Sequence, residues 1–415
     1  MHVRIRIALA MLIAFSCCLI AQESSVQSLT ANNTSAVQGS DNGNAKPASV
    51  SKLPIRSMLY PGATTKIFVR LMLWWGDAKH VNMGYRSDDR RQVESQVADM
   101  QSRGIDGAII AWYGPGDSPR NRAMTSLLRT AEQRGFLVAV SVDTGAVQDC
   151  IKHGCDETAE VASLINYVVQ NYASSSAYWR WKGRPVVTFF GMEKHQIDWG
   201  RVRSSVRGEP LFIFRNSGGF SAPESDGAFA WIAAETVKPS DPIAQEYLER
   251  FYQKAKQVGG KLTIGSAYKG FDDSMASWGK GKHLDQRCGQ TWLDTFAIIN
   301  QTFSQNRQLD ALIIPTWNDY EEGTAIEPGI ASCVQLDLRA DGHKLHWNVK
   351  GPTETIDHFN VYSIAPNGSA RLLTQLPVRS KDYDIGDSGG AFMVEAVGRP
   401  SIQNVFARAS IERHS

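Results

Sequence analysis

The chain has 415 residues, 42% of them apolar, enough for one large domain and a small accessory one. Its 44 basic and 42 acidic residues leave a net charge of +2, an excess that Arg4 and Arg6 alone account for. No basic field marks a nucleic-acid or anionic-membrane partner, and no Walker or dinucleotide glycine pattern marks a phosphate site or a cofactor.

Arg4 and Arg6 precede an apolar run over 7–15, then small residues, then polar sequence from Gln22. That order predicts an export signal over 1–21, cleaved near Ala21, and a secreted or periplasmic protein. The run is too short for a membrane span. Lipid anchoring through Cys17 is the alternative, against which Phe15 is an unusual neighbour. Residues 22–52, rich in Ser, Asn, Gln, Thr and Ala, predict a disordered linker. Removing the signal leaves Cys150, Cys155, Cys288 and Cys333, which in an exported protein predict disulfides. The short loop DCIKHGC favours Cys150–Cys155, which leaves Cys288–Cys333.

From Lys66 the sequence alternates between apolar runs and amphipathic stretches. Strands are predicted over 66–73, 107–110, 136–142, 185–190, 211–214, 227–232, 261–265 and 311–314. Helices are predicted over 90–103, 120–134, 157–172, 242–257 and 291–303, with no clear helix between the fifth and sixth strands. Eight strands alternating with helices over roughly 265 residues predict an α/β fold, a (β/α)8 TIM barrel, over 53–330. Short β-rich runs then fall at 334–338, 344–347, 358–363, 371–376, 392–397 and 404–409, separated by turns such as Pro366-Asn367-Gly368. They predict a small all-β sandwich over 331–415, whose pieces LHW, FNVYS and VEAVGRPS resemble a fibronectin type III domain.

In a parallel barrel the loops after the strand C-termini share one open mouth. The predicted strand ends bring Trp74, Trp75, Asp77, Trp112, Tyr113, Asp143, Glu193, Trp231, Tyr268, Trp317, Asp319 and Glu322 to that mouth. Aromatic rings stack on sugar faces and carboxylates accept hydroxyl hydrogen bonds, so the mixture suits a carbohydrate cleft. The stretch ALIIPTWNDYEEGTAIEP stands out, with Asp319, Glu321 and Glu322 directly after a buried strand. Asp319 and Glu322, three apart, share one face of a turn and can divide acid and base work on a glycosidic bond. The simpler reading is that such acids cap a helix N-terminus. The histidines show no HxH or HExxH spacing, and no metal or GxSxG elbow is predicted.

TWNDYEEG resembles the TWNDYGES signature of glycoside hydrolase family 71, the α-1,3-glucanases. EEGTAIEP resembles the matching end of family 99, the endo-α-mannosidases, whose motif carries Glu where Asp319 stands. The resemblance implies Asp319 and Glu322 as the catalytic pair, with Glu321 at a variable position. FLVAVSVDTG resembles the family 71 segment FKLFFSFDYAG, which implies a substrate-subsite role for Asp143; a turn or cap role is the alternative. GIDGAIIAWYGPG resembles GIDAF and GIDGF segments of both families, implicating Tyr113. A loop like KGFDDSMASWGKGKHLDQRCGQTW brings Trp278 over the cleft. Trp75, Trp231, Tyr268, Trp317 and Asn318 complete the expected substrate contacts. The resemblance implies hydrolysis of an α-linked polysaccharide, inverting in family 71 and retaining through the substrate's 2-hydroxyl in family 99. A non-catalytic glycan-binding barrel and a polysaccharide-assembly protein related to family 99 are the alternatives.

Overall fold

The computed structural model describes residues 43–116 and 118–411, so the predicted export signal, Cys17 and most of the linker lie outside the described residues. Eight parallel strands form the centre: β1 Lys66–Leu71, β2 Gly107–Trp112, β3 Leu137–Asp143, β4 Arg184–Phe190, β5 Leu211–Arg215, β6 Gly227–Phe229, β7 Leu262–Ser266 and β8 Ala311–Ile314. They hydrogen-bond in the order β3-β2-β1-β8-β7-β6-β5-β4, and β3 pairs with β4 to close the ring. This is the expected (β/α)8 barrel. Two glycines permit its tightest approaches. A Cβ on Gly107 would lie 2.6 Å from the Leu137 carbonyl oxygen, and one on Gly227 would lie 2.2 Å from that of Leu262.

Helices α1 Arg90–Ser102, α2 Pro119–Arg134, α3 Gln148–Lys152, α4 Glu157–Asn171, α5 Trp199–Ser205, α6 Gln245–Gln257 and α7 Gln290–Thr302 surround the barrel. Their ends follow local chemistry. Asp89 caps α1 by accepting the Arg91 N–H, and α1 buries Val93, Val97 and Met100. Ser118 caps α2, Pro119 opens it, and Gly135 closes it in the left-handed region. Between β5 and β6 the connection is a 3-10 turn, Ser217–Ser221, which explains the missing helical periodicity there. Two strands are shorter than expected, each because a side chain takes over from the ladder. The Met72 N–H and C=O both bond the Asn318 side chain. The Trp231 N–H donates to the Tyr247 hydroxyl.

The C-terminal domain has a three-stranded sheet of β9 Gln335–Asp341, β10 Lys344–Lys350 and β13 Asp382–Asp384. A four-stranded antiparallel sheet contains β11 Ile356–Ile364, β12 Ala370–Pro377, β14 Gly390–Gly398 and β15 Val405–Ile411. Leu336, Leu345 and Trp347 of the first sheet share a core with Phe359, Val361, Phe392 and Val394 of the second. The two domains are joined tightly. Ile402 sits fully buried in the barrel's core, and the Trp292 indole donates to the Pro400 carbonyl. Cys288–Cys333 links the start of α7 to the sandwich, and Cys150–Cys155 closes the loop after β3.

Residues 43–52, expected within the linker, are instead held against both domains. Val50 bridges Gln403, Ser51 donates to the Ile402 carbonyl, and Asn44 donates to the Tyr320 carbonyl in the loop after β8. Lys269 is buried, donates to the Gly43 carbonyl, and is pushed by burial down to about 7. Among the described residues no helix is long and apolar enough to cross a membrane.

Arg103 braces the barrel behind the loop after β8. Its guanidinium is 1% exposed, donates to the Ile326 and Glu327 carbonyls, pairs with Asp99 and lies 4.7 Å from the Trp317 ring centroid. Arg103→Ala takes the buried donor from the Glu327 carbonyl, leaves the Ile326 carbonyl with the Gly329 N–H alone, and is expected to lower stability by about 3 kcal/mol, read from urea unfolding midpoints.

Candidate active site

The loop after β8 is built from the backbone outward. The Trp317 N–H donates to the Arg70 carbonyl on β1, tying the loop to its neighbour at the moment β8 ends. The Asn318 amide then bonds both backbone groups of Met72, at 2.9 and 3.0 Å, and the Tyr85 hydroxyl. Thr316 Oγ1 accepts the Asp319 N–H, and the Thr324 N–H donates to the Asp319 carbonyl. Glu327 fastens the far end, accepting from Gln96, Tyr85 and Tyr320. With the turn fixed at both ends, Asp319 Oδ1 accepts the N–H groups of Glu321 at 3.2 Å and Glu322 at 3.0 Å.

Asp319 is 1% exposed, whereas Glu322 reaches the surface of the mouth. Burial, then the neighbouring charges of Glu322 and Glu321, hold the Asp319 carboxyl well above the ordinary range, against the two amides that favour its ionised form. Burial also raises Glu322, opposed by the Trp278 indole N–H, which donates to Oε1 at 3.0 Å, and by Arg70. Like charges in a poorly solvated site do not both ionise readily, so the titrations of the two groups are linked.

Arg70 is the mouth residue that sequence reasoning missed. It lies in β1, 2% exposed, and donates to Ser141 and Asp143, both at 3.0 Å. Its guanidinium sits 4.2 Å from the Phe190 ring centroid and 5.2 Å from that of Trp231. The signal was available: one arginine inside the apolar run KIFVRL has to point at something charged. Asp143 takes this ion pair on one oxygen and the Gly145 N–H on the other, so the turn-capping role is present together with a place in the mouth. Burial outweighs Arg70 and raises the Asp143 carboxyl. Tyr113 lies between the acids: burial raises its hydroxyl, and the charges of Asp143 and Asp319 add to that.

A second wall is aromatic. The Trp74 and His80 rings stack at 4.4 Å and 11°, and Trp278 stands edge-on to both at 5.8 and 5.9 Å. Trp278 is 43% exposed, so a ligand in the mouth can meet its face. Glu321 is turned away from Asp319 and Glu322. It accepts from His80 Nδ1 at 2.8 Å and from the Val81 N–H at 3.0 Å.

Several expected contacts lie behind this surface. Trp317, Asn318 and Tyr268 are each 0% exposed: Trp317 faces Arg103, Asn318 is consumed by Met72 and Tyr85, and the Tyr268 hydroxyl donates to the Ile243 carbonyl. Trp75, 1% exposed, backs Trp74 and Tyr320, and Trp231, 5% exposed, packs on Phe190 beside Arg70. Trp112 points outward, because side chains alternate along β2 and Ala111 takes the mouth position. Its indole donates to Asn121 and stacks on Tyr167. Asp77 pairs with Arg120 and Glu193 with Arg215. Among the described residues no group of three or more His, Cys, Asp or Glu is placed to hold a metal ion.

The class is a glycoside hydrolase, as the family match shows. The family follows from the sequence: the model of glycosyl hydrolase family 71 matches residues 79–364, well over half of the chain, and the chain belongs to that family. The match runs through the barrel and into β11 of the sandwich. No curated protein matches the sequence. Among solved structures the fold is similar to the GH99 endo-alpha-mannosidase from Bacteroides thetaiotaomicron in complex with bis-tris-propane, at TM-score 0.52 and 19% identity. That alignment covers 64% of this chain and 87% of the other. A second structure of the Bacteroides thetaiotaomicron enzyme aligns at TM-score 0.50 and 18% identity, over 64% and 88%.

The electrostatics set a stability test. A carboxyl whose folded pKa is raised favours folding below its unfolded pKa, and that contribution is lost as pH rises through the folded value. Asp319→Asn keeps an oxygen for the two amides and removes the charge. The variant is expected to melt above the parent at neutral pH, with the gap shrinking toward pH 4 in a calorimetric series. A gap that grew on acidification would contradict the raised pKa.

Proposed function

We propose that the protein is an exported enzyme that hydrolyses an α-linked polysaccharide, with Asp319 and Glu322 as acid and base. The observation that carries the reading is the pair itself, one member deep in the mouth and the other at its surface. Glu322 reaches the glycosidic oxygen and delivers its proton to the departing sugar. Asp319, cradled by two amides that favour its ionised form, takes the proton from the attacking water. Family 71 membership favours this inverting course over one through a substrate hydroxyl. Arg70 holds Asp143 in place beside the reacting centre, and Tyr113, Asp143 and Trp278 provide the polar and stacking contacts for sugar rings, with Trp231 behind them. Trp75, Tyr268, Trp317 and Asn318 serve as backing.

The family resemblance points to α-glucans, and the structural neighbours are named as endo-α-mannosidases, so these two polymer classes are the substrates to try. Two disulfides fit a protein that matures outside the reducing cytosol, which supports export.

The test measures new reducing ends from α-glucans and α-mannans with parent, Asp319→Asn and Glu322→Gln. Release by the parent is expected, with kcat lowered by about 10²-fold or more in each variant. Binding without release, unchanged in both variants, would overturn the reading. The pH dependence of kcat/KM should be bell-shaped. Both limbs are expected above the range of free carboxylic acids, because burial raises both groups.

A further inference from the structure

Glu321 lies between the two proposed catalytic carboxylates in sequence and is used for something else. Both of its oxygens are committed to the loop after β1, one to His80 Nδ1 and one to the Val81 N–H. The His80 side chain is 8% exposed and lies flat on Trp74. Together the two rings form one stack, and Trp278 packs beside it with its plane steeply inclined to both, at 63° and 73°. Trp278 belongs to a hairpin reaching over from β7, Phe271–Asp272 paired with His283–Leu284, whose tip is organised by Asp273 accepting from the Lys280 and Lys282 N–H groups. Those bonds shape the hairpin without fixing the indole. What meets the indole is the stack of Trp74 and His80 and, at its N–H, the Glu322 carboxylate.

We propose that Glu321 and His80 are positioning residues: they fix Trp278, and through its indole N–H the carboxylate of Glu322, in the orientation that cleavage requires. This rests on the reading of Glu322 as a catalytic group. The carboxylate next to the pair thus acts through two rings and one hydrogen bond. Without the Glu321–His80 contact the imidazole can leave Trp74, the stack opens, and the exposed indole turns away from Glu322. The other charges that bear on Glu322 are Arg70 on β1, Asp143 on β3, Asp273 in the hairpin and Asp319 in its own loop.

The test uses the full chain with His80→Ala, His80→Phe, Glu321→Gln and Trp278→Phe. The indole N–H stabilises the ionised form of Glu322, so its loss moves the corresponding limb of the kcat/KM profile to higher pH, on the order of half a unit. Trp278→Phe, which keeps a ring and loses the donor, is expected to show this shift. His80→Ala is expected to reproduce it, and combining it with Trp278→Phe should add nothing. His80→Phe keeps the stack and is expected to shift less than His80→Ala. A purely structural role would lower activity without moving the limb, or would give additive effects, and either result overturns the proposal.

A second readout needs no substrate. The emission contributed by Trp278, taken as parent minus Trp278→Phe, should become more accessible to acrylamide in His80→Ala and in Glu321→Gln. Unchanged quenching in both variants overturns the proposal whatever the activity. Increased quenching in a protein that cleaves no glycan would support the positioning contact and locate the failure in the hydrolase reading.

Discussion

The side-chain amide of Asn318 continues the ladder between β1 and β8 after the backbone has left it. It offers Met72 the acceptor and donor that a strand residue would offer, so the two strand ends stay in register one step beyond the sheet. Everything at the mouth depends on that extra step. It fixes where Trp317 turns inward against Arg103, and it sets Asp319 on the turn whose amides close onto its own carboxylate. A residue without paired donor and acceptor at position 318 would leave two buried backbone groups of Met72 unpaired, at a cost comparable to a large part of a domain's net stability.

Three carboxylates lie in four residues here, and the protein keeps them from acting as one undifferentiated cluster. Glu321 is drawn off to His80 and Val81, Asp319 lies deep under its own turn, and Glu322 is the most exposed of the three. Each receives a different mixture of burial, amide and indole contact. Position within the turn, rather than residue type, therefore separates their roles, and burial opposes ionisation of Asp319 and Glu322. Arg70 supplies the one deeply buried positive charge among these acids, through Asp143.

The barrel was legible because its strands and helices carry strong periodicities, and because several helices begin or end on residues with a clear local reason, such as Asp89, Ser118 and Gly135. The stretch around Asp319 and Glu322 was legible as a cluster no core would choose. What could not be read was direction. Trp112 and Ala111 exchange places between mouth and helix layer by a single step of the strand, and the apolar run containing them gives no phase. Asn318 reads as a sugar ligand until its partner at Met72, far away in sequence, is known. His80 and Glu321 are separated by 241 positions, and only the closed ring brings them together. Residues 43–52 read as linker because they carry little apolar surface; hydrogen bonds to the backbone and from side chains of both domains hold them.

That arm and Ile402 have a consequence for how the protein is made. The barrel's eighth loop is anchored by Asn44 from one end of the chain, and the barrel's core is completed by Ile402 from the other. During synthesis the strands emerge in order and pair into a closed ring, yet the loop after β8 gains its contact with Asn44 only when residues 43–52 fold back, and Ile402 reaches the core only when most of the sandwich has appeared. A nascent chain holding all eight barrel strands therefore still lacks the contact of Ile402, and the seam between the two domains forms late in synthesis.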